Sequence, residues 1–159
     1  TVIIQLNAEK APSTVANFLE YVQREHYDQT IFHYVQEGLM ILGGGYTEDG
    51  TARSMRAEIT SEAHNELSNR RGTIAMARDQ DYEHSATCQF FFNLSDNMKF
   101  DHTGRDTPQD YGYCVFGEVV QGMDVLDQIA AVAVHDTDQF TSTPRTPVVI
   151  ETIRQVSRR

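Results

Sequence analysis

Short apolar runs separated by long polar stretches set the pattern of this chain. Residues 2–6 (VIIQL) are β-branched and apolar, as a strand requires, and Ala11-Pro12-Ser13 follows as a helix start. Proline's fixed φ suits a first turn that needs no N–H donor there. Val15, Phe18, Leu19 and Val22 then recur at three- and four-residue steps, leaving Glu20, Gln23 and Arg24 for water, which predicts an amphipathic helix. Runs rich in β-branched and aromatic residues predict further strands over 30–35, 40–42, 72–77, 89–94, 113–120 and 148–156, seven in all with the first. A second helix is predicted from Met123 to about Ala131. Gly122 introduces it, Val125, Leu126 and Ile129 share one face, and Asp124 and Asp127 fall in the first turn, where the helix dipole favours acids.

Between these elements lie four polar segments, 47–71, 78–87, 95–112 and 133–146. Long connections of this kind are usually functional or disordered, and four in one small domain suggest a binding face. The strands do not alternate with helices as in a parallel α/β fold, so a closed or nearly closed antiparallel barrel with helices at its ends fits best. A length of 159 residues suits one domain, 1–159, with one sizeable core.

Composition narrows the function. The net charge of -10 repels phosphate backbones and anionic lipid, and no apolar run approaches the roughly 18 residues that span a bilayer. No nucleic-acid or membrane partner is expected, and the basic tail Arg154, Arg158 and Arg159 reads as a solvated end. Cys88 and Cys114 lie in or beside strand-like runs without CxxC spacing and read as core thiols. The chain opens at Thr1, inside a strand pattern, with neither Met nor a secretory leader. That leaves room for removed residues upstream and makes the compartment unreadable.

Candidate chemistry is sparse. The six histidines show no metal-ligand spacing, so no metal is expected, and Gly43 to Gly45 match no phosphate-binding loop and read as a bend or a close backbone approach. No nucleophile elbow is present and neither cysteine has an obvious base beside it. The conspicuous groups are apolar: Phe32, Leu39, Met40, Met76, Ala77, Phe90, Phe91, Phe92, Tyr113 and Phe116. Strand alternation sends half of each set inward, so by themselves these read as core.

Five motifs change that reading: KAPSTVANFLEYV, YDQTIFHYVQEGLMILGGGY, ELSNRRGTIAMAR, SATCQFFFNL and YGYCVFGEVVQGMDVLDQI. In this order they resemble the cyclophilin family of peptidyl-prolyl cis-trans isomerases, most closely its bacterial members with short loops, over nearly the whole chain. The resemblance implies an eight-stranded antiparallel barrel capped by two helices. In the family a strand precedes the one at 2–6. Either residues are omitted upstream, which is the expectation, or an edge is left open to pairing.

The resemblance also implies a task without covalent chemistry or cofactor: rotation about X-Pro amides of peptides and unfolded clients, over a barrier of roughly 18 to 20 kcal/mol. It places the proline pocket at Leu39, Met40 and Phe91, closed by Tyr113. Ala77 and Arg78 would flank the residues before the proline, and Gln89 would bond the substrate backbone. Its catalytic arginine position is held here by Tyr34, and a supporting glutamine position by Leu42, where the family pattern is close to FHRVIPGFMIQGG. A phenol is neutral, and charge-assisted hydrogen bonds are about twice as strong as neutral ones. The loop reading TPQDYGY carries no tryptophan, so weak or no binding of cyclosporin is expected. The expected protein is a monomer of the bacterial cytoplasm or periplasm. Two readings stand: an isomerase of reduced activity, and a module that binds prolyl peptides without turning them over. A barrel with unrelated chemistry at His33 or His102 is a third, against which His33 reads as a satisfied core histidine.

Overall fold

The computed structural model describes residues 1–156. The strands are β1 (Ile3–Leu6), β2 (Thr30–Gln36), β3 (Met40–Thr47), β4 (Thr73–Met76), β5 (Phe90–Asn93), β6 (Val115–Gln121), β7 (Val134–His135), β8 (Thr143–Pro144) and β9 (Val149–Ile150). The helices are α1 (Pro12–Gln23), α2 (Pro108–Tyr111) and α3 (Met123–Ala130). Seven strands form one curled antiparallel sheet in the order β1-β6-β4-β5-β3-β2-β9, and β7 pairs with β8 as a separate ribbon. Register shifts in the β1–β6, β2–β3 and β4–β6 pairs add the local twist that a curling sheet needs.

Helix α1 supplies much of the core. Val15, Phe18, Tyr21 and Val22 are buried against the sheet, and the Phe18 ring sits 5.2 Å from Phe116 and 5.6 Å from Phe90. Its first turn has no capping side chain of its own. Glu62 caps it from the long 47–71 segment, accepting from the Ser13 and Thr14 N–H groups at 3.1 and 2.9 Å. That segment is thereby tied to the fold. Both cysteines are buried thiols as expected, and burial raises them, Cys114 to about 11.

Several expectations are corrected. Strand β3 runs on through Gly43 to Gly45, and this is a close approach: a Cβ on Gly43 would stand 2.6 Å from the Ile31 carbonyl, and Gly44 has φ +90. The strand expected over 148–156 pairs only at Val149–Ile150. Its partner β2 begins at Thr30, so residues beyond Ile150 run past the end of the available ladder. Arg154 is no free solvated end, because it grips both carboxylate oxygens of Asp28 at 2.7 and 2.6 Å; Arg158 and Arg159 lie outside the described residues. Asp127 sits past the first turn of α3 and bonds Arg71 at 2.8 Å. His33 is buried, but its Nδ1 has no partner, and burial lowers its pKa to about 4. Segments 95–112 and 133–146 hold structure that no periodicity announced: a 3-10 turn (Met98–Phe100) and α2 in the first, the β7–β8 ribbon in the second.

Candidate functional site

Strand alternation divides the FFF run of β5 between two faces. Phe90 and Phe92 join the main core, whereas Phe91 belongs to a second apolar cluster. The sheet register places Phe91 between Leu42 of β3 and Ala75 of β4, with Tyr34 paired to Leu42 and Val115 paired to Ala75. Tyr34, Leu42, Phe91, Ala75 and Val115 therefore form one row across five strands. Two residues along each strand the same face recurs, which adds Met40 beside Leu42, Ala77 beyond Ala75 and Tyr113 before Val115.

Over this row two side chains from the loops complete the wall. Phe100 stands 5.9 Å from Phe91 and 5.4 Å from Tyr113, and Tyr113 stands 5.7 Å from Phe91, all edge-on. Leu67 packs against the same cluster. Phe91 is only 2% exposed, so an incoming ring would rest on Met40, Phe100 and Tyr113 with Phe91 beneath. These partly buried side chains form an apolar face over the row, the candidate groove. A cleft of about 220 Å³, lined by His64, Ser68, Asp101 and His102 among others, shares Leu67 with this cluster.

Three buried asparagines fasten the loops of this wall. Asn69 donates to the Phe100 carbonyl at 3.1 Å, the Tyr113 carbonyl at 3.3 Å and the Asp101 carboxylate at 3.0 Å, while its oxygen accepts from Asn93. Asn97 bridges Asn93 and the Leu39 carbonyl, both at 2.9 Å. Buried polar groups of this kind are costly unless fully paired, and here they are. Gly112 completes the seam between 95–112 and β6. Its φ is +73, and a Cβ there would strike Asp101 backbone at 2.6 Å, so only glycine lets the two strands of chain lie this close.

The polar groups divide unevenly. Arg78 lies over the Tyr113 ring, with its guanidinium carbon 4.6 Å from the centroid. Tyr34 carries the only hydroxyl of the row, and it donates to the Gln36 side chain at 2.5 Å. Gln89 packs its side chain over Gly45, where a Cβ would come within 2.7 Å of it. Of the residues singled out from the sequence, Met40, Leu42, Ala77, Phe91 and Tyr113 are gathered into one cluster with Arg78 at its edge. Leu39 stands apart in the β2–β3 turn, touching the site through its carbonyl. Sequence reasoning missed Ala75 and Val115, which alternation from Ala77 and Tyr113 would have found. It also missed Phe100, Leu67 and the asparagines, which sit in loops without any periodic signal. Among the described residues no group of three or more His, Cys, Asp or Glu is placed to hold a metal ion.

Comparison with known proteins agrees with this geometry. A family model described as cyclophilin type peptidyl-prolyl cis-trans isomerase/CLD matches residues 1–155. The peptidyl-prolyl cis-trans isomerase cyp18 of Streptomyces antibioticus is 47% identical over 153 residues, 96% of this chain and 91% of that protein. Peptidyl-prolyl cis-trans isomerase B of Escherichia coli K12 is 45% identical over 152 residues, 96% of this chain and 92% of that protein. Among solved structures, a cyclophilin type isomerase of Cryptosporidium parvum, crystallised in the presence of the dipeptide ala-pro, superposes with a TM-score of 0.78 at 22% identity. That likeness covers 99% of this chain and 93% of the other. The sheet, the row across it and the match over almost the full length together place this chain in the cyclophilin-type peptidyl-prolyl cis-trans isomerase family.

Proposed function

We propose that the protein is a prolyl isomerase of reduced catalytic power, which seats X-Pro segments of peptides and unfolded chains on the groove over Phe91. The observation that carries this reading is the row Tyr34, Leu42, Phe91, Ala75 and Val115: an apolar seat for a proline ring, without a cation where the row begins. Rotation about the amide becomes easier as the C–N bond loses double-bond character and the prolyl nitrogen pyramidalises. A site accelerates it by holding the ring while offering a donor to that nitrogen, so that the twisted state is bound better than either planar one.

Met40, Phe91, Phe100 and Tyr113 supply the seat. Leu42, next to Phe91, adds apolar area and no hydrogen bond. Tyr34 is the nearest polar member of the row, and its hydroxyl must leave Gln36 before it can reach a substrate. The loss of one preorganised donor typically costs about 10²- to 10³-fold in rate.

Exchange rates on an Ala-Pro peptide, measured by NMR for the wild type and for the double variant Tyr34→Arg, Leu42→Gln, test this reading. The wild type is expected to be at least about tenfold slower. Equal rates would show that these two positions do not limit the reaction. The occupied Tyr34 hydroxyl also supports the second reading, a module that binds without turnover. Titration of the same peptide distinguishes them, since the module shows chemical-shift changes in the groove and no exchange above the uncatalysed rate.

A further inference from the structure

Arg78 is held in a manner that its neighbours do not share. Nε donates to the Gly112 carbonyl at 3.0 Å, Nη1 to the Asp79 carbonyl at 2.7 Å and Nη2 to the Pro108 carbonyl at 2.6 Å. These carbonyls, with the Tyr113 face beneath, fix the guanidinium plane. A guanidinium carries five N–H donors, so one on each terminal nitrogen remains available. Arg24, Arg71 and Arg154 are each matched to carboxylates, whereas none of the ion pairs among the described residues includes Arg78. Neutral carbonyls orient the charge without cancelling it.

The nearby acids Asp79 and Asp110 keep their charge but bond other groups, and neither is ion-paired with Arg78. Asp79 accepts from the Asp81 N–H at 2.8 Å, and Asp110 accepts from the Thr107 hydroxyl at 2.7 Å. What remains is a fixed cation with unspent donors, the arrangement that a carboxylate recognises in bidentate fashion. Its distance from the proline seat is small. The Tyr113 ring that carries it is 5.7 Å from Phe91, so the cation lies within about 10 Å of the seat, and an extended residue spans about 3.3 to 3.6 Å. A side chain one to three residues from the proline reaches it.

We infer that Arg78 is a specificity-determining residue, which makes the groove select prolyl peptides carrying Asp or Glu within three residues of the proline. The inference rests on the prolyl-peptide reading above. It runs against the net charge of -10, which repels acidic peptides at a distance, so the preference belongs to the short range and is best read near 0.15 M salt, where the screening length is about 8 Å.

The test is a set of single-proline peptides with Glu, Gln or Lys at each position from three before to three after the proline. Each is titrated by NMR into the wild type, Arg78→Gln and Arg78→Glu. In the wild type, Glu at one position or more is expected to bind about 3- to 10-fold tighter than Gln. That ratio falls to about one in Arg78→Gln, and in Arg78→Glu the order reverses so that Lys binds best. If Arg78 only fastened the 78–87 loop to the 107–112 turn, its loss would weaken all peptides alike and leave the ratio unchanged. Equal Glu and Gln affinities everywhere in the wild type, or a Glu preference that survives in Arg78→Gln, would overturn the assignment while leaving the prolyl reading intact. A wild type that no peptide perturbs, the neutral ones included, would sink both.

Discussion

On the β6 side of Phe91 the groove wall is fastened from behind. Asn69 holds the Phe100 and Tyr113 backbones from a fully buried position, Gly112 lets the loop close on β6, and three carbonyls fix Arg78 over Tyr113. On the β3–β2 side the wall is Leu42 and Tyr34: Tyr34 donates to the exposed side chain of Gln36, and the loop bonds there, from Asn97 and Ser95, reach only the Leu39 and Gly38 carbonyls of the turn. Arg78 thus stands on the flank opposite the position where the family pattern carries its arginine, on the same wall as Lys99, whose Nζ lies 5.2 Å from the Phe100 ring centroid. Position decides what such a charge can do. A donor aimed at charge that develops in the transition state speeds the reaction, whereas one that holds planar and twisted states equally only tightens binding. Arg78, turned toward loop carbonyls, is built for the second role.

If the two flanks differ in this way, polar deletions behind them differ in size. Asn69→Ala removes the interior side-chain donor to the Phe100, Tyr113 and Asp101 oxygens and the acceptor of Asn93, and is expected to cost about 2 to 4 kcal/mol in urea unfolding. Gln36→Ala removes an exposed contact and should stay within about 0.5 kcal/mol. Similar losses for the two would erase the comparison.

Acid adds an effect specific to β2. His33 is held between Tyr46 and Phe140, with ring centroids 4.9 and 5.1 Å away, and burial lowers its pKa to about 4. Above pH 6.5 the ring is neutral in folded and unfolded chains alike. As pH falls below that value the unfolded chain takes up a proton that the folded protein refuses, so stability declines toward pH 4. Between pH 7 and pH 5 the loss from this residue is about 2 kcal/mol. His26, also lowered by burial, adds to it in the same direction. Denaturant midpoints at the two pH values should therefore draw closer in His33→Phe, which keeps the aromatic packing and removes the titrating group. An undiminished pH dependence would refute the assignment to His33.

Why some of this was legible in the sequence follows from its periodicities. Alternation in FFF and the three- and four-residue steps of Val15, Phe18 and Val22 encode which face is buried, and such periods reveal the sheet, α1 and α3 but not α2. The separation of Phe91 from Phe90 and Phe92 follows the same period. The loops carry no such period. Phe100 enters the groove because Asn69, more than thirty residues away in sequence, bonds its carbonyl and the carboxylate of the adjoining Asp101. His33 was expected to be satisfied because buried polar atoms usually are, and no local pattern signals an unpaired Nδ1. The place of Arg78 over Tyr113 was equally hidden, since the pair meets only when β4 and β6 adjoin.

The smallest expected change is the most informative about the β2 flank. Tyr34→Phe deletes one hydroxyl that already donates to Gln36, so stability should move by no more than about 0.5 kcal/mol. With the hydroxyl engaged in this way, the exchange rate on an Ala-Pro peptide should fall less than about threefold; a donor acting on the prolyl nitrogen would give a loss of about 10² or more. Gln36→Ala makes the two cases separable, because it frees the phenol without removing it. If Gln36 restrains a competent donor, freeing it raises the rate, and Tyr34→Phe in that background abolishes the gain. If the rate stays flat in all three variants, Tyr34 is part of the groove wall alone, and the acceleration that remains comes from seating the proline ring over Phe91.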